Sequence, residues 1–192
     1  MPHHFIPSNS VKTIKWSGGT SSELFIYPEG SDFKTGNYQV RLSIATVEVE
    51  TSVFTSLPGV NRTLMVLKGQ LHLKHEGQHE TVLNPLEKDQ FSGNWNTKSW
   101  GKVTDFNLMT KGNCNGVLNG YSLKETQTLS LHSSEQKTFI HIREGIVNIN
   151  NTRAEPGASI LFTGTNRILI DALKDALIVV VEIKNLESGE LS

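Results

Sequence analysis

The stretch Asn84-Pro-Leu-Glu-Lys-Asp-Gln-Phe-Ser-Gly93 decides the fold, because it recurs in outline as Glu155-Pro-Gly-Ala-Ser-Ile-Leu-Phe-Thr-Gly164. The two copies share the spacing of a proline, a phenylalanine and a glycine: Pro85, Phe91 and Gly93 in the first, Pro156, Phe162 and Gly164 in the second. Glycine suits a hairpin turn with positive φ, and proline suits a turn or the start of an edge strand. The repeat therefore predicts two copies of one small β unit.

A related pair of segments precedes the two copies. In each of them a glycine, Gly69 or Gly145, lies between two strand-like runs. The two segments are Leu67-Lys-Gly-Gln-Leu-His-Leu73 and Arg143-Glu-Gly-Ile-Val-Asn-Ile149. After each phenylalanine block a return strand is predicted, at 103–109 and 176–183. This order of strands is typical of a jelly-roll unit.

The rest of the chain alternates between apolar and polar residues with the period of a strand. The clearest runs are Tyr38–Val49, Arg62–Leu67, Leu71–Lys74, Phe106–Met109, Thr138–Ile142 and Leu177–Ile183. A helical stripe longer than about two turns is not found in any stretch. We therefore predict an all-β protein of two fused jelly-roll barrels. The first barrel, residues 1–112, carries the ligand site, and the second, residues 113–192, is mainly structural.

Composition narrows the possible partners. Hydrophobic residues make up 36% and charged residues 19% of the 192 residues, which is a globular profile. The formal net charge of -1 gives no attraction to nucleic acid or to an anionic membrane. The N-terminus lacks a signal-peptide pattern, and the longest apolar run, Ala176–Val181, is far below the roughly 20 residues of a membrane span. We expect a cytoplasmic protein that binds neither nucleic acid nor membrane.

The Gly-turn and the Pro-x5-Phe-x-Gly step resemble the cupin barrel, and their duplication resembles a bicupin. The first 110 residues are more specifically similar to the HutD/Ves family. The similar segments are Trp16-Ser-Gly-Gly-Thr-Ser-Ser-Glu-Leu24, Val40-Arg-Leu-Ser-Ile-Ala45, Leu57-Pro-Gly-Val-Asn-Arg-Thr-Leu-Met-Val-Leu-Lys-Gly69 and Asp105-Phe-Asn-Leu-Met109.

This resemblance implies an all-β bicupin linked to histidine utilisation, with a proposed role in sensing an intermediate such as formylglutamate. It implies no established enzymatic activity. The family pattern usually has an asparagine and an arginine in the first of these segments, where this chain has Ser17 and Ser22.

Histidine spacing argues against a metal-dependent cupin. Many cupins bind a metal through an H-x-H pair, which aims two imidazoles from one face of a strand. Here His72 and His75 fall on opposite faces of one strand, and His75 and His79 share a face only if the strand continues through Gly77. In the second half, His132 and His141 are too far apart for a compact motif. We expect no metal and no other cofactor.

Arginine is the natural ligand for a small anion, because its guanidinium binds a carboxylate through two parallel hydrogen bonds. Arg62 begins a strand after the Pro58-Gly59 turn, and Arg41 shares a strand face with Ser43. A surface ion pair is the alternative for either arginine. The family resemblance favours Arg62 as the anion ligand.

Three further residues complete the predicted ligand site. Asn107 shares a face with Asp105 and Met109, and its amide can donate and accept at once. Thr20 lies in the 16–23 segment, whose hydroxyls and N–H groups could bind an oxyanion or form a plain turn. Phe91 is expected at the rim of the site or in the core.

These observations favour a non-catalytic binder or sensor of a small anionic carboxylate. The alternatives are a cupin isomerase or hydrolase acting on a small carboxylate, with or without metal, and an interaction protein with no small-molecule site. A homodimer is possible, because exposed edge strands can pair.

Overall fold

A computed structural model describes residues 3–187, and there the chain forms 19 strands and one short 3-10 helix at Ser8–Ser10. The strands of the first half are β1 (His3–Ile6), β2 (Lys12–Trp16), β3 (Gly19–Tyr27), β4 (Val40–Val47), β5 (Thr51–Val53), β6 (Val60–Lys68), β7 (Leu71–His75), β8 (Glu80–Leu83), β9 (Lys88–Ser92), β10 (Thr97–Trp100) and β11 (Val103–Lys111). Those of the second half are β12 (Asn115–Leu123), β13 (Thr128–Ser133), β14 (Lys137–Glu144), β15 (Val147–Ile149), β16 (Thr152–Ala154), β17 (Ser159–Thr163), β18 (Asn166–Ala172) and β19 (Ala176–Lys184). The all-β prediction is confirmed.

The strands form two compact units. Among the described residues, the N-terminal unit comprises Lys12–Cys114 and Glu187. The C-terminal unit comprises His3–Val11 together with Asn115–Leu186. Strand β1 belongs to the C-terminal unit because it pairs antiparallel with β17. No helix within residues 3–187 is long and apolar enough to cross a membrane.

The two units share the order of four strands in each of their two sheets and differ in the strands added at the edge of the larger sheet. The N-terminal unit has one sheet of order β2-β3-β4-β11-β6-β9 and a second of order β5-β10-β7-β8. The C-terminal unit has sheets of order β12-β19-β14-β17-β1 and β13-β18-β15-β16. Strands β4, β11, β6 and β9 thus correspond to β12, β19, β14 and β17, and the matched segments of the sequence repeat lie on corresponding strands.

The glycines of the repeat lie at equivalent turns. Gly69 separates β6 from β7 with a φ of 88°, and Gly145 separates β14 from β15 with a φ of 79°. A Cβ at Gly69 would lie 2.6 Å from the carbonyl oxygen of Lys102, and one at Gly145 would lie 2.1 Å from that of Asp175. Glycine is therefore required at both turns by conformation and by space.

The interiors of the two units differ in chemistry. The C-terminal unit is filled by a large apolar cluster: Leu123, Ile140, Ile142, Val147, Ile149, Ala154, Ile160, Phe162, Ile168, Ile170, Ala172, Ala176, Ile178 and Val180. The N-terminal unit has a smaller cluster around Leu64, Val66, Leu71 and Leu73. Its buried residues also include Arg41, Arg62, Asp105 and Asn107. The buried charges mark the part of this unit that needs a functional explanation.

Candidate functional site

The N-terminal unit contains a cavity of about 660 Å³, which opens to solvent. Its wall is formed mainly by the inner face of the larger sheet, and its rim by segments at the ends of the strands. The lining residues are Ile14, Trp16, Ser17, Gly18, Ser21, Phe33, Arg41, Ser43, Ala45, Val47, Val49, Thr51, Ser52, Val53, Phe54, Thr55, Leu57, Arg62, Leu64, Asp105, Asn107 and Met109. An open cavity with mostly apolar walls and a few charged side chains is not the filled barrel that an interaction protein without a ligand site would have.

Strand register places the two arginines in one row across the sheet. Arg41 on β4 and Arg62 on β6 both lie opposite Met109 on the central strand β11. With neighbouring strands about 4.8 Å apart, their Cα atoms are about 10 Å apart. Two residues before Met109 on β11, Asn107 lies opposite Ser43 of β4 on one side and Leu64 of β6 on the other. The period-two pattern thus directs Arg41, Ser43, Arg62 and Asn107 to the same cavity.

Arg62 is buried with a hydrogen-bonding donor left over. Its side chain is 9% exposed, and Nη2 donates to Oδ1 of Asn107 at 2.9 Å. Its Nε–H is buried without a hydrogen-bond partner. Burial lowers the pKa of Arg62 to about 10, so the guanidinium still carries its charge at neutral pH. The Nε of Arg143 in the C-terminal unit is buried without a partner as well, so the unpaired Nε–H is not by itself the mark of a ligand site.

Aromatic rings surround the Arg62 guanidinium. Its Cζ lies 4.7 Å from the ring centroid of Phe54 and 5.1 Å from that of Phe91. The faces of these rings attract the cation and keep water from it. The rings and the bond to Asn107 therefore hold the guanidinium in one orientation, as bidentate recognition of an anion requires.

A carboxyl group lies next to this pair, on the same face of β11 as Asn107. Asp105 is 3% exposed, and its Oδ1 accepts a hydrogen bond from the amide nitrogen of Asn107. Burial raises the pKa of Asp105 to about 7, although Arg62 and the Asn107 hydrogen bond both favour the charged form. Asp105 therefore changes its charge near neutral pH, next to the cation that faces the cavity.

Arg41 is more fully paired than Arg62. Its Nε donates to Glu23 at 2.7 Å and its Nη1 donates to the hydroxyl of Ser43 at 3.0 Å. Its Cζ lies 4.2 Å from the centroid of Phe33. Glu23 neutralises much of this charge, so Arg62 is the stronger anion-binding candidate of the two.

The remaining predicted residues occupy two different places. Phe91 pairs with Arg62 across β9 and β6, and its ring is buried beneath the guanidinium rather than on the cavity wall. Thr20 pairs with Thr46 and is not a lining residue, whereas the next residue, Ser21, is. Alternation along β3 explains the difference. The 16–23 segment reaches the cavity through Trp16, Ser17, Gly18 and Ser21.

The sequence reasoning missed several contributors. Asp105 was placed on the correct face, yet its burial depends on how β11 is flanked by β4 and β6. Phe33 and Phe54 lie outside the strongest strand patterns and reach the arginines through tertiary packing. At the rim, Gly18 makes room for the indole of Trp16, because a Cβ there would lie 2.1 Å from that ring.

The metal prediction rested on spacing along one strand, and here the structure differs. His72 and His75 do lie on opposite faces of β7, where His75 is buried and His72 is half-buried. His75 and His79, however, come together because the chain turns back at Gly77, with their ring centroids 4.6 Å apart. They meet Asp89 of β9, so these three residues could hold a metal ion.

The equivalent positions of the C-terminal unit carry no such polar network. Thr138 pairs with Phe162 as Arg62 pairs with Phe91, which fixes the correspondence. On this alignment Val180 and Ile178 of β19 take the places of Asn107 and Asp105. Both are buried in the apolar cluster.

Comparison with known proteins identifies the fold. The chain superimposes with a TM-score of 0.81 on the conserved protein PA5104 of Pseudomonas aeruginosa PAO1, at 19% identity, covering 96% of this chain and 100% of that one. It superimposes on HutD from Pseudomonas fluorescens SBW25, solved in a formate condition, with a TM-score of 0.76 at 18% identity, covering 97% and 100%. The bacterial pirin YhhW of Escherichia coli, in complex with nickel(II), follows at 0.72 and 11% identity, covering 94% and 98%.

These likenesses, together with a similarity to a cupin barrel protein from Leptotrichia buccalis, confirm the cupin-like fold. A search of curated protein sequences gave no match. The sequence profile of the HutD family matches residues 8–180, which is most of the chain. The chain is therefore a cupin-fold member of the HutD family, a family linked to histidine utilisation.

Proposed function

We propose that this protein binds a small carboxylate metabolite without transforming it, and so senses an intermediate of histidine utilisation such as formylglutamate. The observation that carries the proposal is the buried, charged Arg62 guanidinium, which lies among the residues that line a cavity of about 660 Å³. A cavity of this size is within the range of roughly 300–1,000 Å³ that is usual for small-molecule sites.

The surrounding groups suit a carboxylate with a polar tail. The ligand's carboxylate accepts hydrogen bonds from Arg62, while Asn107 holds the guanidinium from behind at 2.9 Å. The Ser43 hydroxyl accepts from Arg41, and its own proton is available for a second ligand oxygen. Phe33 and Phe54 provide apolar contact for the aliphatic part of the ligand. These roles support one carboxylate at Arg62 and a second polar group near Ser43.

The test is isothermal titration of the protein with formylglutamate, glutamate, urocanate, formate and imidazolepropionate. Arg62→Met keeps the side-chain volume and removes the charge. Losing a buried, hydrogen-bonded charge pair costs about 2–5 kcal/mol, so affinity should fall by about 30-fold to several thousand-fold.

The matched control is Arg153→Met, which removes an exposed arginine paired with Glu155. It should leave affinity unchanged. The proposal fails if none of the carboxylates binds, or if Arg62→Met and Arg153→Met bind equally well. Thermal melts provide a second readout, because a ligand at 100 times its Kd stabilises the protein by about 2.7 kcal/mol.

A second candidate is an enzyme acting on the same class of carboxylate. The observation that favours it is Asp105, whose pKa burial raises to about 7, the range suited to a general acid or base. Incubation of the bound ligand with the protein, followed by NMR of the small molecule, separates the candidates. Conversion that Asp105→Asn abolishes would establish the enzyme, and recovery of unchanged ligand would support the binder.

A further inference from the structure

A cluster of two histidines and one aspartate lies at one end of the N-terminal unit, outside the residues that line the cavity. Strand β7 ends at His75, and the turn at Gly77, with a φ of 74°, returns the chain toward β8. The turn is closed by a hydrogen bond of 2.9 Å from the His75 N–H to the His79 carbonyl. The backbone thus fixes both imidazoles on the same side of the hairpin.

Asp89 of β9 completes the cluster from the opposite sheet. Its Oδ2 lies 2.8 Å from Nε2 of His75 and 2.9 Å from Nε2 of His79. One nitrogen of each histidine and a carboxylate oxygen of Asp89 all lie within 4.8 Å of one another. Ligand atoms of one metal ion are about 3–3.5 Å apart when each is about 2.0–2.2 Å from the ion, so a small outward shift admits a cation.

The other nitrogen of His75 has the partner that a metal-binding imidazole needs. Nδ1 lies 2.8 Å from the hydroxyl of Thr97, which donates to the carbonyl of Trp95 at 3.3 Å. When the hydroxyl donates to this carbonyl, it accepts the Nδ1–H of His75, and the Nε2 lone pair is then able to bind a cation beside Asp89. Such a hydrogen bond on the far nitrogen orients the ligating histidines of known metal sites.

Burial and access also suit an ion. The His75 side chain is fully buried, so only its Nε2 edge, toward Asp89 and His79, is open to an ion. Its ring packs 4.5 Å from Phe91 and 5.4 Å from Trp95. The His79 side chain is 40% exposed, which leaves one side of the cluster open to solvent. An ion could enter there and keep water at its remaining positions.

We propose that His75, His79 and Asp89 bind one divalent transition-metal ion of the zinc, cobalt or nickel type through two imidazole nitrogens and one carboxylate. Mixed nitrogen and oxygen ligands select this class over magnesium or calcium, which prefer oxygen alone. The site is distinct from the carboxylate cavity, because Phe91 separates His75 from Arg62: its ring lies 4.5 Å from the one and 5.1 Å from the other. The proposal does not depend on the function proposed for the cavity.

The test is titration of the full, chelator-treated chain with Co²⁺, followed through the visible absorption of the ion and by competition with Zn²⁺. His3 and His4 are neighbouring histidines that could also bind metal, so both are replaced by alanine in the starting protein. His79→Ala and Asp89→Asn each remove one proposed ligand at a side chain that is not fully buried.

The matched control is His72→Ala, on the same hairpin. His72 pairs with a carboxylate, Glu80, at 2.6 Å, and does not belong to the three-ligand cluster. We expect one equivalent of Co²⁺ to bind, with its affinity reduced in His79→Ala and Asp89→Asn and unchanged in His72→Ala. Loss of a group that only hydrogen-bonds to a ligating side chain costs about 10–100-fold in metal affinity, so loss of a ligand itself should cost at least that.

Circular dichroism and thermal melts in chelator show whether each variant is folded before metal is added. The proposal is wrong if the starting protein binds neither Co²⁺ nor Zn²⁺. It is equally wrong if folded His79→Ala and Asp89→Asn both bind Co²⁺ as tightly as the His72→Ala control.

Discussion

Carboxylate binding should weaken as the pH rises above neutrality, because Asp105 lies close to the cation that holds the ligand and lines the same cavity. Burial raises the pKa of this carboxyl to about 7, so it is mostly neutral at pH 6 and mostly ionised at pH 9. Ionised Asp105 competes with the ligand for Arg62 and adds a negative charge close to the bound anion. The perturbation is therefore a change of pH between 6 and 9, with Asp105→Asn as the variant that cannot titrate.

The size of the effect follows from the pKa. If the complex needs neutral Asp105, Kd rises about tenfold for each pH unit above the pKa, because each unit lowers the neutral fraction tenfold. Between pH 6 and pH 9 this amounts to nearly 100-fold. The pKa of Arg62 is lowered only to about 10, so its guanidinium remains about 90% charged at pH 9. A ligand carboxylate with an ordinary pKa near 4 is ionised throughout.

The assay is isothermal titration of one carboxylate ligand at several pH values, in buffers of different ionisation enthalpy. Wild-type protein should take up close to one proton per ligand bound near pH 8. Asp105→Asn should take up none, and its Kd should be nearly independent of pH. The matched control is Asp175→Asn, which removes an exposed aspartate paired with Lys124 and should behave as wild type.

The reasoning is refuted if wild-type affinity is constant or increases between pH 6 and 9. It is also refuted if Asp105→Asn retains the wild-type pH dependence, since the titrating group would then lie elsewhere. A slope that disappears in Asp105→Asn alone would assign the proton to Asp105.

Two further predictions concern stability without ligand. A carboxyl whose pKa is raised in the folded state destabilises the fold once it ionises, so the free energy of unfolding should decline from about pH 4 to pH 7. In calorimetry, Asp105→Asn should therefore raise the Tm relative to wild type more at pH 8 than at pH 5. Gly69→Ala should cost clearly more than about 1 kcal/mol in urea unfolding, because a Cβ there meets the Lys102 carbonyl oxygen at 2.6 Å. Gly59→Ala, at a similar φ of 73° with nothing within 4 Å of the added atom, should cost only about 1 kcal/mol; equal losses would contradict the steric argument.

The fold could be predicted from sequence because its determinants are local and repeated. Alternation of apolar residues identified the strands, and the Pro–Phe–Gly spacing identified the copies. The structure extends the same correspondence to whole sheets, since β4-β11-β6-β9 and β12-β19-β14-β17 follow the same order. The order of the strands within each sheet could not be predicted, because a local sequence pattern does not indicate which strands pair with each other.

For the site, the sequence predicted only which residues share one face of a strand. Alternation placed Arg41 with Ser43, and Asn107 with Asp105, and both pairs face the cavity. That Asn107 lies within 2.9 Å of Arg62 depends on the register of β6 against β11, which sequence does not give. The approach of Asp89 to His75 depends on contact between two sheets, so spacing within one strand could not reveal it.

The duplication also shows that the same order of strands forms in the C-terminal unit without these buried charges. At the positions equivalent to Arg62, Asn107 and Asp105, the C-terminal unit has Thr138, Val180 and Ile178, and its strands have the same order. Replacing buried ionic groups with apolar residues of similar volume is often neutral or stabilising. The N-terminal unit nevertheless keeps a cation and a carboxyl in its interior, around an open cavity. A cost to stability that one copy avoids and the other retains is best explained by a ligand that needs these groups, which supports a carboxylate site at Arg62.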